Sequence, residues 1–80
     1  MGIRDEVAKR ILFYCNEKNI AINALARISA VPPSTLKNIV NGTSRNPGIV
    51  TIKKICDGLK ITIVDFFNSD EFKNLEQEIK

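Results

Sequence analysis

Two adjacent prolines in mid-chain, Pro32 and Pro33, constrain the fold more than any other feature of this sequence. A proline ring pushes the residue before it out of the helical region, so Val31 and Pro32 belong in or next to a turn. Pro33 suits the first position of a helix, because the N–H it lacks would go unpaired there anyway. Both flanks of the break carry apolar residues at helical spacing. Residues 22–29 read as a short helix with Leu25 and Ala26 facing inward and Ile28 beside them. Residues 33–40 read as a second one, with Leu36, Ile39 and Val40 inward and Ser34, Thr35, Lys37, Asn38 and Asn41 outward. Asn41-Gly42 closes it, Gly42 being a natural left-handed cap. Asn-Gly also marks hairpins, but the residues before it repeat at three and four, not at two.

The same reading finds three further helices. Residues 3–18 carry the stripe Ile3, Val7, Ile11 and Tyr14, widened by Ala8, Leu12 and Cys15 with Phe13 alongside, and Asn19 can end that helix in a left-handed turn. Residues 49–59 carry Ile49, Ile52, Ile55, Cys56 and Leu59, with Gly48 as N-cap. Thr62 opens residues 63–67, and Asp65 three positions on completes a capping-box pair. The longest stretch without helical periodicity runs from about Asn41 to Gly48. Residues 68–80 are acidic and carry a thin stripe of Phe72, Leu75 and Ile79.

Eighty residues make one domain at most. The expected architecture is all-α: a compact five-helix bundle over residues 1–68, with residues 69–80 as an acidic C-terminal tail or short helix. No apolar run approaches a membrane span, and the N-terminus has no apolar export core, so the cytoplasm is the expected compartment. There is no histidine, which rules out Ser-His and Cys-His nucleophiles, and no glycine-rich phosphate loop. Asp/Glu/Lys chemistry stays formally open, but no constellation suggests it. Two cysteines cannot supply the four ligands of a structural zinc site, so Cys15 and Cys56 read as reduced, buried thiols. No enzymatic activity, cofactor, metal or small-molecule substrate is expected.

Charge is unevenly spread. Residues 1–30 sum to a net +2, residues 31–60 to +4 and residues 61–80 to −3. The middle of the chain is therefore where a polyanion would bind. Two short helices joined by a tight turn, the second polar on its outer face, form the helix-turn-helix layout. The major groove of DNA accepts one helix, and side chains near that helix's N-terminus and outer face reach the base edges.

At this point the sequence resembles a known family. Leu25-Ala26, Ala30-Val31, Ser34-Thr35-Leu36, Ile39, Asn41-Gly42, Asn46-Pro47, Leu59 and Phe66-Phe67 give residues 20–67 the look of the Cro/C1-type helix-turn-helix domains of phage repressors and small bacterial regulators. The resemblance implies a five-helix bundle that binds double-stranded DNA as a transcriptional regulator, with residues 33–40 in the major groove. Carried over by position, it places Pro33, Ser34, Lys37 and Asn38 at base edges. It places Thr35, Asn41, Thr43, Ser44 and Arg45 at phosphates, with the start of the helix near Ile49 also facing one.

The sequence departs from the family pattern at four places. Ala21 and Ile22 stand where a Ser or Thr cap and a Gln are usual, at a cost of about 1 kcal/mol for the cap. Pro33 replaces a base-reading Gln, leaving an apolar contact such as a thymine methyl. Lys60 stands where a glycine is usual and is expected in a left-handed turn. Arg10 lacks the acid that relatives carry at the position of Val40, which frees it for a phosphate or another acid. A single such module makes few contacts, so a homodimer is expected, paired through the fifth helix or the tail stripe, unless that stripe folds back on Leu12, Phe13 and Cys15. The alternative from another class is a protein-interaction module that keeps the fold without binding DNA.

Overall fold

A computed structural model describes residues 2–44 and 46–79. Within them run six helices: α1 (Ile3–Lys18), α2 (Ile22–Ile28), α3 (Pro33–Val40), α4 (Ile49–Leu59), α5 (Ile63–Phe67) and α6 (Asp70–Lys73). The architecture is all-helical, with no strand among the described residues. α1 packs on α3, α4 and α6; α2 packs on α3 and α4; α5 packs on α4.

The core is the meeting of the inward stripes. Ile11, Leu25, Leu36, Ile55, Leu59 and Phe66 are fully buried where these helices converge. Cys15 and Cys56 are free and buried among them. Burial pushes both thiols above the ordinary cysteine value, so they stay protonated and act as small apolar groups.

Four helices end in one backbone device. The residue after the left-handed position donates to the carbonyl five residues back: Ile20 to Cys15 at 2.9 Å, Val31 to Ala26 at 3.0 Å, Thr43 to Asn38 at 2.9 Å and Ile61 to Cys56 at 3.0 Å. This pairing satisfies carbonyls that a helix end leaves open. The left-handed residues are Asn19, Ala30, Gly42 and Lys60, with φ of 56°, 56°, 77° and 59°. Only α3 uses a glycine there. Asn19, Gly42 and Lys60 follow the sequence reading. Ala30, within the turn that defines the motif, is the one that propensity did not anticipate.

Several apolar residues of the helix stripes point out, Ile3 and Leu12 of α1 among them; the two most exposed lie in α2 and α4. Ile28 is 54% exposed and Ile49 is 63% exposed. In α2 the inward face is completed by Ser29, four positions after Leu25, which takes the buried place. In α4, side chains lean toward the helix N-terminus, so a first-turn residue overshoots the core edge. Ser29 is buried because Gly58 of α4 lies against it. A Cβ on Gly58 would sit 2.0 Å from Ser29 Oγ and 3.3 Å from Ser29 Cα.

The capping box of α5 is present: Asp65 N–H donates to Thr62 Oγ1 at 2.9 Å and Thr62 N–H to Asp65 Oδ2 at 3.4 Å. Beyond it, α6 spans only four residues and is capped by Ser69 Oγ. Phe72 turns back onto Phe66 and Phe67, with ring centroids 6.2 and 4.9 Å away. The tail therefore folds in cis, over the aromatic cluster of α5 and against α1, where Phe72 and Phe13 line one cleft. The stripe Phe72-Leu75-Ile79 does not persist as a helix, because α6 ends at Lys73 and Ile79 stays exposed.

Two stability predictions follow from this geometry. A left-handed non-glycine residue costs about 1–2 kcal/mol, partly offset by the extra unfolded-state entropy of glycine. Ala30→Gly and Lys60→Gly should each raise stability by about 0.5–1 kcal/mol, read as a Tm increase of a few degrees in thermal melts. Gly58→Ala should cost about 2 kcal/mol through overpacking. Ser29→Ala should recover part of that loss in the double variant, since it removes the worst clash and a buried hydroxyl that has no partner.

Candidate nucleic-acid interface

The hydrophobic anchor of α3 is complete. Leu36 is 0% and Ile39 2% exposed, while Thr35 and Val40 are half-buried at the flanks. Helical periodicity then leaves Pro33, Ser34, Lys37, Asn38 and Asn41 exposed along one face. None of the side chains of Ser34, Lys37, Asn38 and Asn41 is committed to a hydrogen bond among the described residues. The acidic C-terminal segment does not cover this face, because α6 lies on α1 and its residues line a cleft with Glu6, Lys9, Arg10 and Phe13.

The N-terminus of α3 adds backbone donors. Pro32 stands at the cap without a side-chain acceptor, and Pro33 has no N–H. Leu36 N–H pairs with Pro32 O at 3.1 Å, which leaves the N–H groups of Ser34 and Thr35 without an intrahelical partner. α4 begins the same way: Gly48 offers no side-chain cap, and the first intrahelical bond is Ile52 N–H to Gly48 O. Such ends carry a partial positive charge suited to phosphate. α5 and α6, by contrast, are capped by side chains of their own.

The loop after α3 is tied to the helix. Asn38 O accepts from Thr43 N–H at 2.9 Å and from Ser44 N–H at 3.0 Å. Asn38 thus presents its side chain outward while its carbonyl fixes the loop. The amides of Thr43 and Ser44 are spent, so the groups these residues can offer a phosphate are their hydroxyls; Thr43 is exposed and Ser44 half-buried. Arg45, assigned to a phosphate from the sequence, lies outside the described residues.

Arg10 is not free. Its Nε donates to Phe66 O at 2.7 Å, and its Nη2 donates to Asp65 O at 3.0 Å, Asn68 O at 3.2 Å and Tyr14 Oη at 3.3 Å. The carbonyls at the end of α5 take the place of the acidic partner that the family resemblance leads one to expect at the position of Val40. Carbonyl acceptors leave no trace in a sequence, since every residue has one. Lys53 pairs with Asp57 one turn along α4, as befits a solvated face.

A second surface was not anticipated as a unit. Ile49, Ile63, Val64, Phe67 and Asn68 line a shallow groove of about 530 Å³ where the start of α4 meets α5. No ionisable residue lines it. Val64 is 73% exposed at its rim, and Val50 is 66% exposed in the first turn of α4. The helical period hid this patch, because Ile49 continued a stripe whose other members are buried. Among the described residues no group of acids and cysteines could hold a metal ion, and no helix is long and apolar enough to cross a membrane.

Comparison with known proteins agrees with this geometry. A family model described as the Cro/C1-type HTH DNA-binding domain matches residues 10–70. The chain is also similar to the crystal structure of the prophage Lp1 protein 11, at a TM-score of 0.82 and 28% identity over 94% of this chain and 100% of that one. No curated protein matches.

Were α3 to read bases and the following loop to hold phosphates, mutants should separate the two roles. Lys37→Ala and Asn38→Ala should each cost about 1–3 kcal/mol of discrimination between a preferred site and its single-base variants. Thr43→Ala should weaken binding to all sequences alike, with discrimination intact. Competition titrations against a panel of variant duplexes measure both.

Proposed function

Because the chain belongs to the Cro/C1-type helix-turn-helix DNA-binding domains, a family of DNA-binding regulators and not of enzymes, we propose that it is a sequence-specific transcriptional repressor that lays α3 in the major groove. The observation that carries this reading is the division of α3. Leu36 and Ile39 hold it to the core, and Ser34, Lys37, Asn38 and Asn41 face outward, uncommitted among the described residues, beside two backbone N–H groups without an intrahelical partner. Lys suits a guanine O6/N7 edge and Asn an adenine N6/N7 edge, while Pro33 offers a thymine methyl an apolar surface. Thr35, Asn41, Thr43, Ser44 and Arg45 would hold the phosphates on either side. Repression would follow from occupying the site.

One module of this size reads too few base pairs for useful specificity, so the protein is proposed to bind as a homodimer on two half-sites about one DNA turn apart. The pairing surface favoured by the geometry is the groove between α4 and α5. It is apolar, uncharged and self-complementary in kind, with exposed Val64 beside the hollow lined by Ile63 and Phe67. It also adjoins the start of α4, which would put two recognition helices on one face of the duplex. The tail stripe is a weaker candidate, because Phe72 is already spent on the aromatic cluster.

Selection from a random duplex pool should return a recurrent motif with two inverted half-sites. Affinity should fall steeply with salt as counterions are released. Val64→Glu should leave binding to one half-site intact and abolish the gain from the second. Failure to retain any duplex at low salt would favour a protein-interaction module on the same fold.

A further inference from the structure

α5 is five residues long and cannot hold a helical conformation by itself. Its inner side packs on the core through Ile63, Phe66 and Phe67, and its C-terminal end is held by a polar clamp. The Phe66 ring is fully buried in the core. The Arg10 guanidinium reaches across from α1 and grips the carbonyls of Asp65, Phe66 and Asn68. The guanidinium is itself held, lying 5.0 Å from the Phe13 ring centroid and 4.8 Å from that of Tyr14, and the Tyr14 hydroxyl donates to the same Asp65 carbonyl at 3.4 Å. The planar fork of arginine fixes direction as well as distance. Apolar packing alone is non-directional, so the clamp adds a directional restraint at the C-terminal end of α5. Val64, two positions before Phe66, is thereby aimed away from the core at the rim of the apolar groove.

We propose that Arg10 is a positioning residue for assembly on DNA: by clamping the end of α5 it sets the angle at which the Ile49/Val64 surface meets a second copy, and so the spacing of half-sites that the pair accepts. This rests on the pairing of two copies through that groove. Arg10 itself touches neither DNA nor the partner in this scheme. Phe13, exposed on α1 without a place in the core, gains a role as one wall of the clamp.

The test uses the full chain and a duplex library in which two inverted half-sites are separated by spacers of graded length, with a single half-site as control. Wild type should show one favoured spacing. Arg10→Met keeps the apolar stem and loses the fork. It should bind the single half-site within about twofold of wild type, lose about tenfold of the gain from the second half-site and accept a broader range of spacings. Arg10→Lys keeps the charge and one donor group, so it folds under the same packing constraints and should recover part of the sharpness. Unchanged spacing and cooperativity in both variants would overturn the proposal. So would a parallel loss on single and paired sites, which is what a merely structural residue gives. Val64→Glu separates the premise: if it leaves the gain from the second half-site untouched, pairing through the groove is wrong whatever Arg10 does. If Val64→Glu abolishes the gain while the Arg10 variants match wild type, the groove stands and the positioning role falls.

Discussion

The structure depends on the burial of two side chains, Leu36 and Ile39, by a helix of only eight residues. A segment that short has no helical stability of its own in water. Each buried side chain contributes roughly 1.5–3 kcal/mol toward holding it in place, and the neighbouring turn residues add fixed ends: Pro33 at the start and left-handed Gly42 at the close. Once those two residues are inside, the period of the helix leaves no choice about what lies outside. Ser34, Lys37, Asn38 and Asn41 are not selected for exposure one by one; they are exposed because Leu36 and Ile39 are not. The exposed face is the complement of the anchor.

α5 repeats this dependence with a different second anchor. α3 is held by two buried apolar side chains on one stripe, whereas α5 buries only Phe66 fully, with Ile63 and Phe67 half-buried beside it, and takes a further restraint from Arg10. The aromatic cluster of Tyr14, Phe66, Phe67 and Phe72 then draws the tail onto α1. That placement has an electrostatic consequence. The carboxylates of Asp70 and Glu71 gather beside Glu6 on α1, so the acidic end of the chain does not oppose a polyanion at α3.

Most of the helical framework was legible in the sequence because it rests on local rules. Periodicity located α1, α3, α4 and α5 to the residue, the capping pair Thr62/Asp65 and the turn positions Asn19 and Gly42 follow from short-range chemistry, and the left-handed turn at Lys60 came from the family resemblance. The outward residues of α3 were legible for the same reason, since they follow from the inward ones. What was hidden depends on three dimensions. Ile28 and Ile49 satisfy the helical period yet lie outside, because a stripe says nothing about where the core ends. Ser29 takes a buried place only because Gly58 faces it from another helix. The partner of Arg10 is a set of carbonyls more than fifty positions away, and no side-chain pattern announces a carbonyl.

The distribution of helix caps carries the physical argument one step further. A Ser, Thr, Asp or Asn cap stabilises a helix by about 1 kcal/mol, and this chain uses one at α5 and at α6, its shortest helices. It uses none at α1, α2, α3 or α4, where Gly2, Ala21, Pro32 and Gly48 occupy the position. A side-chain cap consumes the N–H groups that a phosphate oxygen would otherwise accept from, and it places an acceptor, often an anion, in the phosphate's path. At the end of the molecule that the proposed reading turns toward DNA, the missing caps therefore leave donors open and lower the stability of the free protein. A phosphate that fills those positions supplies the hydrogen bonds the helices lack, so binding and helix stabilisation become one event. α5 and α6, the shortest helices, complete their own ends, whereas α1, sixteen residues long, does without a side-chain cap.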